Sequence, residues 1–141
     1  MTRMEEAASA IRDGHGVEPR ILLELLRHAD WAGGRSLADL ERALAATPVV
    51  LAAFDGERCV GMIRVLTDGV YRALIEDVIV APDARGQGWG ERLMEAALEH
   101  PLVRDVELTF LFTGIPDFYR RFGYIPDPGG MRRSPAKDGR A

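Results

Sequence analysis

Cysteine is nearly absent from this sequence. Cys59 is the single cysteine among 141 residues, so no disulfide within the chain can form. It sits in an apolar run, and we interpret it as a small core residue. The three histidines, His15, His28 and His100, share no metal-ligand spacing. The sequence therefore predicts neither a disulfide framework nor a metal site.

Long apolar runs and an excess of positive charge are also missing. No run is long enough to cross a membrane, and the first residues, MTRMEEAASAIRDG, lack the apolar centre of a signal peptide. The net charge is −4, so nothing indicates a nucleic-acid-binding surface. We therefore expect a cytoplasmic protein that binds neither membranes nor nucleic acid. The acidic balance is compatible with a cationic amine substrate.

The most informative stretch covers residues 74–100, LIEDVIVAPDARGQGWGERLMEAALEH. Residues 74–80 are apolar and rich in β-branched side chains, which is typical of a buried strand. Pro82 ends the strand because proline cannot donate to a ladder. Trp89, Leu93 and Ala97 then recur at helical spacing. This stretch predicts a strand, a glycine-rich turn and a helix.

A glycine-rich turn that opens a helix is a potential phosphate site. Its backbone N–H groups are unpaired and lie at the positive end of the helix dipole. A Walker loop is excluded, because Glu91 follows the last glycine where lysine is required. A dinucleotide fingerprint is excluded by the alternating spacing of Gly86, Gly88 and Gly90. A helix start without any ligand is the alternative at this point.

Two motifs resemble the GNAT superfamily, the general-control-related N-acetyltransferases. In the turn, Arg85 is followed at the family's spacing by Gly88 and Gly90. The second motif is FYRRFGY at residues 118–124, close to the family's F-Y-x-x-x-G-F. The resemblance covers about residues 18–130. It implies an acyltransferase that uses acetyl-CoA.

The order of predicted elements agrees with this family. The implied fold class is α/β (α+β), with a mixed, mostly antiparallel twisted sheet flanked by helices and a central parallel strand pair splayed around the cofactor. We expect one domain over residues 1–141, with a core of about 18–130 and a mobile tail of about 132–141. The expected elements are a short first strand or an extension before residue 18, helices from Pro19 to about Asp30 and from Ser36 to Pro48, antiparallel strands at 49–54, 59–66 and 71–80, the helix after the turn, a parallel strand at 103–112, a short helix at 114–122 and a last strand from Tyr124.

The resemblance assigns the cofactor to the strand end and the turn. In the family, strand amides pair with the pantetheine arm, and the glycine-rich loop holds the pyrophosphate. Trp89 stands where the family often has a smaller aliphatic residue, and packing onto the sheet is its alternative interpretation. By alignment of the motifs, the cofactor-binding residues are Val78, Ile79, Val80, Arg85, Gly86, Gln87, Gly88, Trp89, Gly90 and Tyr119.

Three residues are candidates for proton transfer. Tyr119 matches the tyrosine that the family places near the cofactor sulfur as general acid; packing in the core is the alternative. Glu76 and Asp77 are carboxylates in an otherwise apolar strand, and a buried carboxylate with a raised pKa would suit a base or relay. The alternative is that one of them pairs with an arginine such as Arg64 or Arg72.

The acceptor is less specified. Stretches 30–32, 67–69 and 122–128 are similar to small bacterial and plastid acetyltransferases of the serotonin N-acetyltransferase type. Trp31, Tyr71 and Phe112, with Phe110, are candidates for an apolar acceptor site, or else core residues. The FTG at 112–114 and the polar tail depart from that branch. We expect a small primary amine as acceptor. A protein N-terminus or lysine, a non-catalytic CoA-binding module, and a monomer or homodimer stay open.

Overall fold

The computed structural model describes residues 10–135 and contains a five-stranded sheet in the order β1-β2-β3-β4-β5. Turns of 3-10 helix occur at Gly14–Gly16, Asp30–Ala32 and Pro82–Ala84. The strands are β1 (Ile11–Asp13), β2 (Val49–Asp55), β3 (Arg58–Thr67), β4 (Arg72–Val80) and β5 (Leu108–Phe110), and the helices are α1 (Pro19–Leu26), α2 (Leu37–Ala46), α3 (Trp89–Glu99) and α4 (Pro116–Arg120).

The first four strands form the expected antiparallel meander. β1 pairs with β2, β2 with β3 and β3 with β4, all antiparallel. β5 joins the sheet parallel to β4, as a strand reached through a helical crossover should. This parallel ladder is short, because it joins only Arg72–Leu74 of β4 to Leu108–Phe110 of β5. The rest of β4 has no β5 partner in the part of the chain that the structure describes.

The sheet is covered on both faces around β3. Residues 60–65 of β3 are all buried. Since consecutive side chains of a strand point to opposite faces, such an unbroken buried run requires packing on each side. Helices supply it through leucines at helical spacing, among them Leu22 and Leu26 of α1, Leu40 of α2 and Leu93 of α3. The glycine turn and helix α3 are thus anchored to a rigid sheet.

The end of α1 and the start of α2, on either side of their connecting loop, are set by local chemistry. The Ser36 side chain accepts a hydrogen bond from the backbone N–H of Asp39, which confirms the predicted cap of α2. α1 ends at Leu26, earlier than the expected Asp30. The backbone N–H groups of His28 and Ala29 turn to the carbonyls of Leu25 and Leu26, so the chain tightens and leaves the helix.

The strand predicted at 103–112 is shorter than expected. The backbone N–H groups of Val103 and Arg104 both bond to the carbonyl of His100, and that of Val106 bonds to the carbonyl of Val103. These turns use donors that a ladder would need, so only Leu108–Phe110 pairs with β4. Val103 is nevertheless buried. Its apolar character reflects core packing in a turn rather than a strand.

The last strand, predicted from Tyr124, does not form in the described residues. The Tyr124 hydroxyl hydrogen-bonds the Thr109 hydroxyl at 2.9 Å, so a side chain, and not a ladder, joins this segment to β5. Pro126 and Pro128 then remove two backbone donors. Ile125 is left exposed.

The predictions for the two ends of the chain are only partly covered. β1 confirms the short first strand. Residues 132–135 contain neither helix nor strand, and residues 136–141 of the predicted tail lie outside the described residues. Among the residues that are described, no helix has the length and apolar character needed to cross a membrane.

Candidate active site

A cleft of about 890 Å³ opens beside the second half of β4. One wall is the segment after α1, with His28, Asp30 and Trp31. The floor is the end of β4, and the opposite wall is the glycine-rich turn with the start of α3. α4 closes the cleft with Phe118 and Tyr119. Three regions that are distant in sequence thus meet at one strand end: the segment after α1, residues 78–91, and α4.

The glycine-rich turn has the geometry that an anion site requires. Gly86 and Gly88 have φ angles of 76° and 85°, a region that other residues rarely adopt. Gly88 is the N-cap of α3, and no side chain caps the helix there. The first N–H groups of α3 are therefore directed out of the helix without an intrahelical partner. Gln87 belongs to the turn but does not line the cleft.

Arg85 and Gly90 fix the two ends of this turn. The Arg85 Nε donates to the carbonyl of Val80 at 3.2 Å, which joins the turn to the end of β4. A Cβ at Gly90 would lie 3.2 Å from Cζ of Phe118, so glycine allows α4 to approach α3 closely. The phenylalanine of the second motif and the last glycine of the first are therefore in contact.

Trp89 packs mainly as a core residue. Its ring is buried in the same cluster as Leu93, and the guanidinium of Arg92 lies 4.6 Å from the ring centroid. The indole Nε1 is buried without a hydrogen-bond partner among the described residues. Trp89 also lines the cleft. Most of the Trp89 side chain is therefore buried by packing, as the alternative interpretation expected.

The second half of β4 has a free edge toward the cleft. Ile79 and Val80 pair with Met62 and Gly61 of β3 on one side, and on the other side β5 has already diverged after Leu74. Val78, Ile79 and Val80 all line the cleft. Their backbone groups on the free edge can pair with an extended ligand as a neighbouring strand would.

Asp77 is held by two arginines. Its Oδ2 accepts hydrogen bonds from Arg64 Nε at 2.6 Å and from Arg35 Nη1 at 2.7 Å, and its side chain is 0% exposed. It occupies a register irregularity of β4 and has a φ angle of 50°. The structure therefore supports the ion-pair interpretation of Asp77. The partner from β3 is Arg64, whereas Arg72 contacts Glu107 instead.

Glu76 has no such partner. Its side chain is half-buried and makes no hydrogen bond or ion pair with any described residue. Burial raises the pKa of Glu76, and the neighbouring charge of Asp77 raises it further; Arg64 and Arg35 oppose this shift only in part. A carboxylate with a raised pKa, on the strand that forms the cleft floor, is suited to accept a proton.

Tyr119 lies where two cavities meet. It lines the cleft and a second cavity of about 1030 Å³ between β5 and the C-terminal segment. Its hydroxyl makes no hydrogen bond to a described residue, and its ring packs edge-on against Phe118 with centroids 4.9 Å apart. Burial, and then the nearby Tyr124, raise the pKa of Tyr119. The phenol therefore keeps its proton throughout the neutral range.

The three residues predicted for the acceptor are not brought together. Trp31 is 59% exposed and lines the cleft. Phe112 is 71% exposed and lines the second cavity, as Phe110 does. Tyr71 is 59% exposed at the other end of β4 and lines neither cavity. None of the three is a core residue, and only Trp31 belongs to the cleft wall. The structure therefore does not place these three side chains in one cavity.

Arg35 is the site-adjacent residue that sequence reasoning missed. It follows Gly33 and Gly34 in a loop, and its partner Asp77 is 42 residues away. No local spacing connects the two. The available indication was Asp77 itself, a carboxylate inside an apolar strand that needed a compensating cation.

Comparison with known families gives one assignment. A model of the acetyltransferase (GNAT) domain matches residues 46–126. A histone acetyltransferase from Glycine max is 37% identical over 78 residues, which are 54% of this chain and 34% of that protein. Serotonin N-acetyltransferase 2, chloroplastic, from Oryza sativa subsp. japonica is 32% identical over 99 residues, 66% of this chain and 50% of that protein.

Solved structures agree over more of the chain. A putative acetyltransferase of the GNAT family from Xanthomonas campestris pv. campestris superposes with a TM-score of 0.79 at 28% identity, covering 88% of this chain and 91% of that one. A GNAT family acetyltransferase from Streptococcus pneumoniae superposes with a TM-score of 0.75 at 30% identity, covering 90% and 98%. By contrast, the chain spans about a third of the length of the soybean relatives.

The raised pKa of Glu76 predicts how its replacement affects stability. A carboxyl whose folded-state pKa is raised favours folding fully below its unfolded-state pKa, and that contribution is lost as the pH rises through the folded-state pKa. Glu76→Gln removes the charge that burial penalises. We expect the stability of the variant relative to wild type to be greater at pH 7 than at pH 4, with the free energy of unfolding measured by urea unfolding at both pH values. An equal stability difference at the two pH values would contradict the raised pKa.

Proposed function

This chain belongs to the GNAT acetyltransferase family, acyltransferases that use acetyl-CoA, and from this premise we propose that it transfers the acetyl group to a primary amine of a small molecule. The observation that carries the proposal is the cleft in which a strand with a free edge meets a glycine-opened helix. A protonated phenol, Tyr119, lines this cleft, and the half-buried carboxylate of Glu76 precedes by two residues the strand segment that forms the cleft floor.

The residues present fit acetyl-CoA. The pyrophosphate suits the unpaired N–H groups at the start of α3, because Gly86 and Gly88 leave the backbone open and Arg85 adds positive charge. An extended pantetheine arm suits the free edge of β4 at residues 78–80. Acetyl-CoA supplies a thioester, whose acyl carbon is electrophilic and whose thiol is a fair leaving group.

Charge and aromatic character support a small cationic amine as acceptor. Asp30 lines the cleft beside the exposed indole of Trp31 and makes no ion pair with a described residue. A carboxylate and an aromatic face are the groups that attract ammonium ions.

Two side chains have the properties that proton transfer requires. Most alkylamines are protonated near pH 7, and only the neutral form attacks a carbonyl. Glu76, directly or through a water, takes the proton that the nitrogen loses as the C–N bond forms. The Tyr119 hydroxyl donates to the sulfur as the C–S bond breaks. Before attack the ammonium ion loses its first proton to solvent. The products are an amide and a thiol; Glu76 then releases its proton to solvent and the Tyr119 phenolate takes one back, which restores both groups.

The acceptor class is tested by thiol release from acetyl-CoA across an amine panel. We expect small aralkylamines to give a kcat/KM at least about tenfold above that of polyamines and lysine peptides, since the Trp31 indole can contact an aryl group while the Asp30 carboxylate attracts the ammonium ion. A preference for peptides would indicate a protein acceptor, consistent with the name of the soybean relative. No release with any amine would indicate a CoA-binding module without turnover.

Acetyl-CoA should stabilise the fold. At a concentration 100-fold above its Kd, the free energy of unfolding should rise by about 2.7 kcal/mol, measured by a thermal melt. Gly88→Val should abolish this rise, because a side chain there blocks the approach of pyrophosphate to the backbone.

The matched control for Gly88→Val is Gly56→Val in the β2–β3 turn. Gly56 also has a positive φ angle, 63°, and open space around its Cα. Both variants should therefore lose intrinsic stability through backbone strain. Only the Gly88 variant should lose its response to acetyl-CoA; a full response there would remove the turn from the binding site.

Tyr119→Phe tests the acid. It should retain acetyl-CoA affinity, since the ring packing is kept, and lower the single-turnover rate by on the order of 100- to 10,000-fold. The loss falls toward the lower end if the sulfur leaves nearly unaided, because a thiol of pKa about 8.5 is more acidic than the buried phenol.

The control for Tyr119→Phe is Phe118→Leu on the same helix, which should act through stability and cofactor packing. A wild-type single-turnover rate in Tyr119→Phe would show that the hydroxyl is dispensable. If Glu76→Gln is slow in the same assay, the strand carboxylate then carries the proton transfer alone.

A further inference from the structure

We propose that Arg35 is a positioning residue: its ion pair with Asp77 fixes the acceptor-side wall of the cleft to the β4 strand. The wall is the loop of residues 29–35, which we call the acceptor loop. Its role toward the acceptor rests on the amine-acetyltransferase function proposed above. The ion pair itself is a property of the fold.

The anchor of this contact is rigid. Asp77 belongs to β4 one residue before Val78, which lines the cleft, and its carboxylate is fully enclosed. Arg64 of β3 is 10% exposed and binds the same oxygen, Oδ2, at 2.6 Å. Its Nη1 also donates to Thr47 Oγ1 at 2.9 Å, and Thr47 in turn donates to the carbonyl of Ala43. The carboxylate of Asp77 is therefore held by contacts with β3 and α2 that do not involve Arg35.

The acceptor loop has little else to hold it in this place. Its backbone bonds are local: Ala29 N–H to the Leu26 carbonyl at the end of α1 at 3.0 Å, Ala32 N–H to the Ala29 carbonyl at 3.0 Å, and Arg35 N–H to the Ala32 carbonyl at 3.1 Å. Ala29 and Ala32 are buried but small. Among the described residues, Arg35 is the one loop side chain that hydrogen-bonds to another secondary-structure element.

The same side chain also reaches the cleft wall. The Arg35 guanidinium lies 5.5 Å from the centroid of the Trp31 ring. One end of the contact is thus the buried carboxylate, and the other is the exposed indole that lines the cleft. A cation between an aromatic face and a carboxylate restricts both. The orientation of Trp31 and Asp30 toward the acceptor then depends on Arg35.

This contact also separates the roles of two adjacent carboxylates. Asp77 accepts two charge-assisted hydrogen bonds on one oxygen, and these contacts join the acceptor loop and β3 to β4. Glu76 accepts none. Asp77 therefore holds the fold together, and its neighbour Glu76 is left for the proposed proton transfer.

Arg35→Met is the informative variant, because it removes the contact and leaves Arg64 on Asp77. We expect hydrogen exchange of the backbone amides at positions 32 and 35 to speed up roughly tenfold, as for the loss of one direct interaction between neighbours. Amides of α3 should exchange as in wild type. Arg35→Lys should restore much of the protection, since a single N–H to Oδ2 bond is needed.

The matched control is Arg42→Met on α2. Arg42 is an exposed arginine whose nearest carboxylate, Asp39, lies 3.8 Å away. Its replacement should leave exchange in the acceptor loop unchanged. Loop protection that is equal in wild type and Arg35→Met would overturn the proposal.

Kinetics then test the role toward the acceptor. Arg35→Met should raise the acceptor KM roughly tenfold while the Kd of acetyl-CoA stays within about twofold of wild type. The pH dependence of kcat should be retained. A variant that weakens acetyl-CoA and leaves acceptor KM unchanged would show that the loop serves the cofactor, which overturns its assignment to the acceptor.

The two proposals fail in different ways. If wild type acetylates no amine, the proposed function fails and the acceptor role of the loop fails with it. Faster exchange in Arg35→Met would still show that the ion pair holds the loop. If wild type is active and loop exchange does not change, the function stands and the positioning role is wrong.

Discussion

The structure depends on one constraint on β4: it pairs with β3 along most of its length but with β5 over three residues only. β5 cannot continue alongside it, because the chain after Phe110 is drawn away toward α4. There Thr113 accepts from the Ile115 N–H, and Phe118 packs against Gly90 of α3. A parallel sheet that separates in this way leaves backbone groups unpaired in the interior. The cleft is the place where a ligand can satisfy them.

A second constraint follows from the charge inside that strand. A buried carboxylate costs free energy unless it is paired and hydrogen-bonded. Asp77 meets this need with Arg64 and Arg35, although Oδ1 has no partner among the described residues. The positive φ angle of Asp77 is part of the register irregularity in β4, where an extra residue is inserted opposite Ile63 of β3. Removing either arginine would leave less compensation for a charge that cannot reach water.

What the sequence predicts well here is local. The cap at Ser36, the meander and the helix after the glycine turn follow from spacing and turn chemistry, and the structure confirms them. The predicted strand at 103–112 is longer than the observed one, because apolar residues such as Val103 pack in the core from turns as well as from strands. The residues of the site also differ in whether a local pattern can predict them. The glycine turn and residues 78–80 are contiguous, so a motif finds them, whereas the contact between Arg35 and Asp77 joins a loop to a strand across 42 residues, and no periodicity encodes it.

Burial is the main cause of the pKa shift in both candidates for proton transfer, and the shift bears differently on the role proposed for each. Desolvation penalises the charged form of each group, so it raises the pKa of both Glu76 and Tyr119. For the carboxyl, the pKa moves toward neutrality, where a proton acceptor is most effective. For the phenol, the pKa moves away from neutrality, so the group stays protonated at neutral pH but is a weaker acid than the thiol that it would protonate. One physical effect, burial, thus brings the pKa of the proposed base toward neutrality and keeps the proposed acid protonated, although neither side chain has a cationic partner among the described residues.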